Sequence, residues 1–329
     1  MPTYRRPELL ERALRSVLNN GSSRAGEVEI VVSDNSSDVN AAVCDRLLPI
    51  WAGPTQYLAN EVNIGAVPNF NQSGRAARGL YVVFLHDDDR LLKGSLDAML
   101  GELTGGHGGR AAYLFGVEVI DELGLVRRRQ DFPSLRELGP AEALMRVLTD
   151  STFVRMPGVV IRRDVFDGIG GFDEAIGNPT DFDLMVRVFA LYGVTCVPAV
   201  TAQYMVHSAA ATSGMFNQKT VTTLMTVFDR AVASGVIVPE RRIRRAQVDW
   251  FHQFILGGAY RELRRGRPDE ARSVLALFDV PQVRALGRSR RWAPIRAVFS
   301  AASRIPGRIS APFLTWVGRL RLERLWHPK

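Results

Sequence analysis

The chain has few of the residues that build disulfide frameworks or zinc sites. Its 329 residues include two cysteines and five histidines. Cys44 and Cys196 lie far apart in apolar segments, so we expect reduced core thiols in a cytoplasmic protein rather than a disulfide. The histidines show no spacing typical of zinc ligands.

Long apolar runs and glycine-rich phosphate loops are also missing. No apolar run approaches the roughly eighteen residues that span a bilayer, and the first residues lack the apolar centre of a secretory signal. The sequence contains neither a Walker-type loop nor a GxGxxG after a strand, and "GGHGG" at 105–109 is interpreted as a connector. Bound phosphates would therefore need a metal ion.

Charge divides the chain into two parts. Residues 240–329 contain 20 basic and 7 acidic residues, whereas residues 1–239 contain 22 and 27. Four of the five tryptophans also fall in the basic part. We therefore predict one domain over 1–239 and a basic region over 240–329.

Helical and strand patterns alternate in the first part. "RPELLERALRSVLNN" has helical spacing of leucines, "EVEIVVS" is typical of a buried strand, and "FNQSGRAARG" predicts a helix ending at Gly79. Five more segments are predicted as strands: "QYLA", "LYVVFL", "AAYLFGVEVI", "GVVI" and "VTCVPAV". This alternation indicates an open, mostly parallel α/β sheet with flanking helices, whose ligands bind at the carboxyl ends of the strands.

Two acidic clusters follow predicted strands, "SDNSSD" and "HDDD". The adjacent carboxylates of Asp87, Asp88 and Asp89 repel one another unless a cation neutralises them or water solvates them. Oxygen ligands favour Mg²⁺ or Mn²⁺, which commonly bridge carboxylates to substrate phosphates. The alternative is that Asp88 or Asp89 caps the helix predicted for "RLLKGSLDAML".

Four segments together resemble one family. "PTYRRPELLERALRSVL", "EIVVSDNSSD", "NIGAVPNFNQSGRAARGLYVVFLHDDDRLLKGSLDAML" and "GGFDEAIGNPTDFDLMVRVFALYG" follow the order and spacing of glycosyltransferase family 2, which has the GT-A fold. The resemblance covers roughly residues 1–207. It implies metal-dependent, inverting transfer from a nucleotide diphosphate sugar to a hydroxyl acceptor, with a nucleotide-sugar half over about 1–110 and an acceptor half over about 111–239.

On the donor side, the resemblance implies that Thr3, Asp34, Asp87 and Asp88 bind the nucleotide sugar. Asp34 matches a carboxylate that accepts a hydrogen bond from the base, and Asp88 matches the last aspartate of the DxD motif, which binds Mg²⁺ or Mn²⁺. The first aspartate of that motif is replaced by His86, which we interpret as a packed neighbour rather than a ligand.

On the acceptor side, the resemblance implies that Asp181 is the base that deprotonates the acceptor hydroxyl. Thr180 stands where family members commonly have glutamate. One family loop, which lines the acceptor side of the site, is matched by Gly171, Phe172 and Asp173. The alternatives are that Asp181 caps the following helix and that the loop is a turn without chemistry.

Two more residues are assigned less directly. His207 matches a position where related enzymes complete the metal shell or contact phosphates, and the alternative is a surface-loop histidine. Asp183, two residues after the proposed base, is expected to form a salt bridge.

One departure from the family concerns its first strand. Family members open with an apolar strand ending in Pro-Thr-Tyr, whereas this chain opens at Met1, so that strand is expected to be missing. We expect the true start to lie upstream, or this to be a truncated product.

The basic region predicts helices that include "RRIRRAQVDWFHQFILGGAYREL" and "PDEARSVLALF". Arginine combined with tryptophan and phenylalanine is typical of an interfacial helix on anionic lipid, although a helix packed on the catalytic domain fits equally. Lipid contact would place the chain on the inner face of the membrane, with a lipid-linked or glycan acceptor, as in cell-surface polysaccharide or glycolipid synthesis. No nucleic-acid-binding module accompanies the charge.

Two alternative functions remain open at this point. A non-catalytic relative could bind nucleotide sugars as a membrane-associated assembly subunit, since His86 and Thr180 depart from the family. A nucleotidyltransferase on a similar sheet would need a glycine-rich first loop, which "PTYRRPELL" lacks.

Overall fold

The computed structural model describes residues 1–21, 24–36, 38–106, 108–150, 152–206, 214–287, 289 and 291–304. The described residues form two compact units, one within 1–143 and 154–210 and the other within 144–153 and 211–304.

The strands and helices alternate through the first unit, as the sequence predicts. The strands are β1 (Pro2–Thr3), β2 (Ile30–Asp34), β3 (Thr55–Ala59), β4 (Tyr81–Val83), β5 (Arg90–Leu91), β6 (Ala112–Ile120), β7 (Val126–Gln130), β8 (Arg136–Leu138), β9 (Val159–Arg162) and β10 (Val194–Met205). The helices are α1 (Pro7–Leu18), α2 (Ala41–Leu47), α3 (Ala66–Ala76), α4 (Ser95–Thr104), α5 (Pro140–Thr149), which continues into the second unit, α6 (Arg163–Gly168) and α7 (Thr180–Tyr192).

The strands form two sheets of different character. β1, β2 and β3 pair in that order and all run parallel. The second sheet has the order β4-β9-β6-β10-β5, with β7 paired to β6 and β8 to β10. Its β6–β10 pair is parallel, and its other pairs are antiparallel.

The α/β class is confirmed, but the expectation of a mostly parallel sheet is wrong for the second sheet. The alternation of helices and strands predicts parallel pairing, yet β4, in "LYVVFL", pairs antiparallel to β9. A continuous apolar run reports burial of both faces of a strand, and it does not report the direction of the neighbouring strand.

Local sequence explains the helices that flank the site. α1 starts at Pro7, which suits a first turn, and buries Leu10, Leu14 and Val17 along one face. α4 starts after Gly94, whose φ of 78° is the left-handed conformation that glycine adopts readily. Because α4 starts well after the acidic cluster, Asp88 and Asp89 do not cap it.

The first strand is short. β1 has two residues and pairs with β2. Between the two sheets lies an apolar cavity of about 410 Å³, lined by Ile30 and Val31 of β2, Val82 of β4 and Met99 of α4.

The second unit is helical. It contains α8 (Gln218–Ala233), α9 (Glu240–Arg264), α10 (Pro268–Leu275), α11 (Pro281–Ala285) and α12 (Ala293–Ala302). α8, α10 and α12 pack on α9. The unit starts earlier than the charge boundary near Pro239 indicated, because α8 is neither strongly basic nor rich in tryptophan and yet packs on the basic helix.

The apolar side of α9 is covered by protein. Ile243, Trp250 and Phe251 are buried, and Trp250 contacts Phe228 and Phe254. The exposed residues of α9 are all charged. α9 therefore does not present an interfacial apolar face, and the prediction of lipid contact now rests on residues after 304, which lie outside the described part of the chain.

Two further sequence expectations concern the thiols and the membrane. Cys44 and Cys196 are buried and free. Within the described residues, no helix combines the length and apolarity that crossing a bilayer requires.

Candidate active site

The candidate site lies where strands of the first unit end. Asp34 ends β2, and residues 86–89 follow β4. The Met205 amide at the end of β10 donates a hydrogen bond to Asp89 Oδ1 at 3.0 Å. Both acidic clusters of the sequence are thus placed at strand ends.

Asp34 is fully buried and surrounded by donors from its own chain. Its Oδ1 accepts hydrogen bonds from the Ser36 amide at 2.9 Å, the Ser36 hydroxyl at 2.5 Å and Asn40 Nδ2 at 2.9 Å. Its Oδ2 accepts one from the Tyr57 hydroxyl at 2.9 Å. The carboxylate organises its loop, and its predicted hydrogen bond to a base stays a prediction.

Asp87 connects the start of the chain to the acidic loop. The Thr3 hydroxyl donates to Asp87 Oδ2 at 2.9 Å, and Arg6 Nη1 lies 3.3 Å from Oδ1. Arg6 Nη1 also lies 3.8 Å from Asp88 Oδ2. Burial and then the Asp88 charge raise the pKa of Asp87, while Arg6 and Thr3 oppose the rise. Arg6 was not predicted, although "PTYRR" offered a cation beside the acidic ends.

His86, Asp88 and Asp89 form the cluster best suited to a cation. One ligand atom from each lies within 4.8 Å of the others. Asp89 is 1% exposed, and its Oδ2 accepts no hydrogen bond from the described residues. Burial, and then the neighbouring Asp88 charge, raises the pKa of Asp89 well above its ordinary value. A buried carboxylate oxygen without a donor fits a divalent cation, since a cation would supply the missing partner.

Two sequence assignments near this cluster have different outcomes. His86 stacks on Phe70, with ring centroids 5.1 Å apart, as a packed neighbour would. It nevertheless lies within the possible ligand set, as does Asp89, which the motif comparison had not singled out. His207 lies outside the described residues.

Asp181 lies in the first turn of α7 and its side chain is exposed. Its Oδ1 accepts a hydrogen bond from the Phe182 amide at 2.7 Å. Although Asp181 is accessible to solvent, the protein packed densely around it raises the pKa of its carboxyl, and the Phe182 amide, His86 and Arg155 oppose that rise. The N-cap position belongs to Pro179, so the capping interpretation of Asp181 is wrong.

The loop before α7 is held at several points. Thr180 is buried, and its hydroxyl donates to the Asp173 carbonyl at 3.3 Å. Phe172 is 2% exposed and packs against Phe70 and Phe84. Asp183, as predicted, forms an ion pair, with Arg187 Nε 2.8 Å from its Oδ2.

Arg155 is a site residue that sequence reasoning missed. Its guanidinium carbon lies 5.1 Å from the centre of the Tyr204 ring. Its charge opposes the raised pKa values of both Asp89 and Asp181. "FVRMPG" contains no motif that would have indicated this position.

Residues 1–170 match the family model described as "Glycosyl transferase family 2". The chain belongs to this family. The predicted family is confirmed.

Curated relatives are similar over part of their length. An uncharacterized Mycobacterium tuberculosis protein, MT1568, is 32% identical over 60% of this chain and 63% of its own length. The Campylobacter jejuni GalNAc(5)-diNAcBac-PP-undecaprenol beta-1,3-glucosyltransferase is 34% identical over 38% of each chain. The Salmonella typhimurium abequosyltransferase RfbV is 36% identical over 29% of each. The chain therefore matches less than two thirds of each of these relatives.

Solved structures confirm the fold. S. aureus TarS 1-349 in complex with UDP-GlcNAc aligns over 97% of this chain and 90% of its own, with a TM-score of 0.59 and 15% identity. The Pyrobaculum calidifontis mannosyltransferase PcManGT, in complex with GDP-Man and Mn²⁺, aligns over 100% of this chain and 86% of its own, with a TM-score of 0.53 and 17% identity. These low identities show a shared fold and nothing finer.

Proposed function

We propose that this chain is a metal-dependent, inverting glycosyltransferase that moves a sugar from a nucleotide diphosphate donor to a hydroxyl acceptor. The observation that supports it best is the buried Asp89 oxygen, which has no donor within the described part of the chain and lies beside His86 and Asp88. These three residues would hold the ion. Imidazole and carboxylate together suit Mn²⁺, and Mg²⁺ is the alternative. When bound, the ion would offset negative charge on the diphosphate.

Asp181 is the proposed base. A base works best when its pKa lies closer to the working pH than that of an ordinary aspartate, and enclosure raises the pKa of Asp181 in that direction. The helix start fixes its position through the Phe182 amide. An exposed oxygen at this point can accept a proton from an acceptor hydroxyl.

The nucleotide is proposed to lie against Thr3, Asp34 and Asp87. The Thr3–Asp87 hydrogen bond and the Arg6 charge place one cation beside the acidic loop, where a diphosphate would lie. Asp34 Oδ2 accepts a single hydrogen bond from the described residues, that of Tyr57, so it keeps a lone pair that could accept a hydrogen bond from a base.

The acceptor is proposed to be lipid-linked or a glycan, and the loop of Gly171, Phe172 and Asp173 is proposed to wall its side. The Campylobacter relative is named for an undecaprenol-linked substrate, which supports this choice. A place at the inner face of the membrane would follow from such an acceptor. It stays a proposal.

Release of nucleoside diphosphate from a panel of nucleotide sugars tests the function. We expect release to require Mn²⁺ or Mg²⁺ and to be lost in Asp181→Asn, which keeps the shape of the side chain and removes its basicity. Asp88→Asn should leave the fold unchanged and raise the concentration of metal ion that half-maximal release requires. Pyrophosphate release instead would indicate nucleotidyl transfer, and donor binding without turnover would indicate the non-catalytic alternative.

A further inference from the structure

The acceptor loop, residues 169–174, is held by a residue on a different element. Asn71 of α3 donates from Nδ2 to the Phe172 carbonyl at 2.9 Å, and its Oδ1 accepts from the Phe172 amide at 2.9 Å. Asn71 is 2% exposed. One side-chain amide thus satisfies both backbone groups of Phe172, as a neighbouring strand would.

The fit at this contact is close. A Cβ placed on Gly171 would lie 2.7 Å from Asn71 Oδ1, and Gly171 has a φ of 69°. Both facts require glycine beside the Asn71 amide. The loop conformation and the Asn71 side chain therefore depend on each other.

A second support reaches the loop from α7. Arg187 donates to the Ile169 carbonyl at 2.8 Å and the Gly171 carbonyl at 2.7 Å while it pairs with Asp183, which is fully buried. Asp183 and Arg187 lie on the helix whose first turn contains Asp181. The base and the loop are thus fixed to one helix.

The segment that contains Asn71 also contacts the donor side. Asn69 accepts a hydrogen bond from the Ser33 hydroxyl at 2.7 Å, next to Asp34. Phe70 stacks on His86 and packs edge-on against Phe172. Three consecutive residues of α3 therefore contact Ser33 beside Asp34, His86 of the candidate cation cluster, and the acceptor loop.

We propose that Asn71 is a positioning residue. It sets the position of the acceptor loop relative to Asp34 and to the cluster of His86, Asp88 and Asp89, and Arg187 is the second residue that supports the loop. The inference rests on the proposed function for its kinetic consequences. Asn71 touches no reacting atom. Its effect is transmitted through Phe172 and the aromatic contact with Phe70.

The test uses Asn71→Asp, which keeps the size of the side chain but sets a carboxylate oxygen against the Phe172 carbonyl. Gln72→Glu makes the same chemical change one residue further along α3 and is the matched control. We expect Asn71→Asp to lower acceptor kcat/KM by about 100-fold, the cost of a small misplacement at a site. Binding of the nucleoside diphosphate and slow hydrolysis of the donor should stay within about threefold of wild type, well short of that loss.

Hydrogen exchange of residues 169–176 supplies a readout that does not need turnover. In Asn71→Asp, repulsion between the carboxylate and the Phe172 carbonyl should move the loop away from the remaining acceptor oxygen, so the Phe172 amide should exchange faster. In Gln72→Glu its exchange should stay unchanged. Arg187→Lys keeps the charge but cannot reach Asp183 and two carbonyls together, and it should give the same pattern if Asn71→Asp fails to fold.

Wild-type transfer and wild-type exchange in both variants would overturn the inference, as would an equal fall in donor binding and in transfer. If the wild-type protein turns over no donor, the proposed function fails instead. The exchange data would then still decide whether Asn71 sets the loop.

Discussion

Asp34 and Asp89 are both buried carboxylates at strand ends, yet their surroundings differ. Asp34 accepts four hydrogen bonds from its own chain, whereas Asp89 accepts one, from the Met205 amide, and one of its oxygens has no donor among the described residues. The first carboxylate is complete within the protein. Among the residues that the structure describes, the second lacks a donor on one oxygen, and a cation would supply that partner.

The difference separates a structural use of an acidic side chain from a binding use. Donors that converge on Asp34 hold the loop after β2 in place, so its negative charge is already compensated by the chain. Asp89 lies beside Asp88, which repels it, and its raised pKa reflects burial without enough compensation. A cation bound between Asp88 and Asp89 would relieve the repulsion between their carboxylates, and this relief would favour its binding.

The largest effect on stability is expected for Asp34→Ala. The change leaves the Ser36 amide, the Ser36 hydroxyl and the Tyr57 hydroxyl without their acceptor, while Asn40 Nδ2 keeps Ser36 Oγ at 2.9 Å. Each buried donor left unsatisfied costs about 1 to 3 kcal/mol. We expect the free energy of unfolding to fall by about 3 kcal/mol or more. Urea denaturation with and without Mn²⁺ measures it, and the loss should be equal in both. A loss that appears only with Mn²⁺ would mean that Asp34 belongs to the cation site.

Asp89→Asn should behave in the opposite way. Without a cation, stability should change by less than about 1 kcal/mol, because the change removes a poorly compensated charge and keeps an acceptor for the Met205 amide. Affinity for Mn²⁺ should fall by at least about tenfold, a loss typical even of outer partners of a metal site. Calorimetric titration of Mn²⁺ into both proteins measures it. Equal affinities would remove Asp89 from the ligand set.

A smaller effect is expected for Tyr57→Phe. One of the four donors to Asp34 is lost, so the free energy of unfolding should fall by about 1 kcal/mol with no change in Mn²⁺ affinity. Tyr192→Phe, at an exposed tyrosine, is the control and should leave thermal stability unchanged. A Tyr57→Phe protein as stable as the control would show that the remaining donors are sufficient.

Sequence patterns indicated where the two carboxylates lie but not how they differ. Apolar runs followed by acidic clusters placed Asp34 and Asp89 at strand ends, because strand periodicity and burial are local properties. The donors to Asp34 include Tyr57, which lies 23 residues further along the chain. The arginine that opposes the raised pKa of Asp181 is Arg155, which lies on a segment without a motif. Such partners depend on how distant segments pack. The mixed direction of the second sheet was missed for the same reason.

Arg155 extends the comparison to Asp181, whose raised pKa also comes from enclosure. The proposed base must be ionised, so activity should increase as pH rises through the pKa of Asp181, above the range of an ordinary aspartate. Arg155 opposes that raised pKa, and therefore Arg155→Gln should raise it further and move the acid limb of the kcat/KM profile to higher pH. Arg78→Gln, at an arginine paired with Glu29, is the matched control and should leave the limb in place. An acid limb that stays fixed in Arg155→Gln, or that moves to lower pH, would show that Asp181 is not the group that titrates, and the contrast between saturated and incompletely compensated carboxylates would then stop at Asp89.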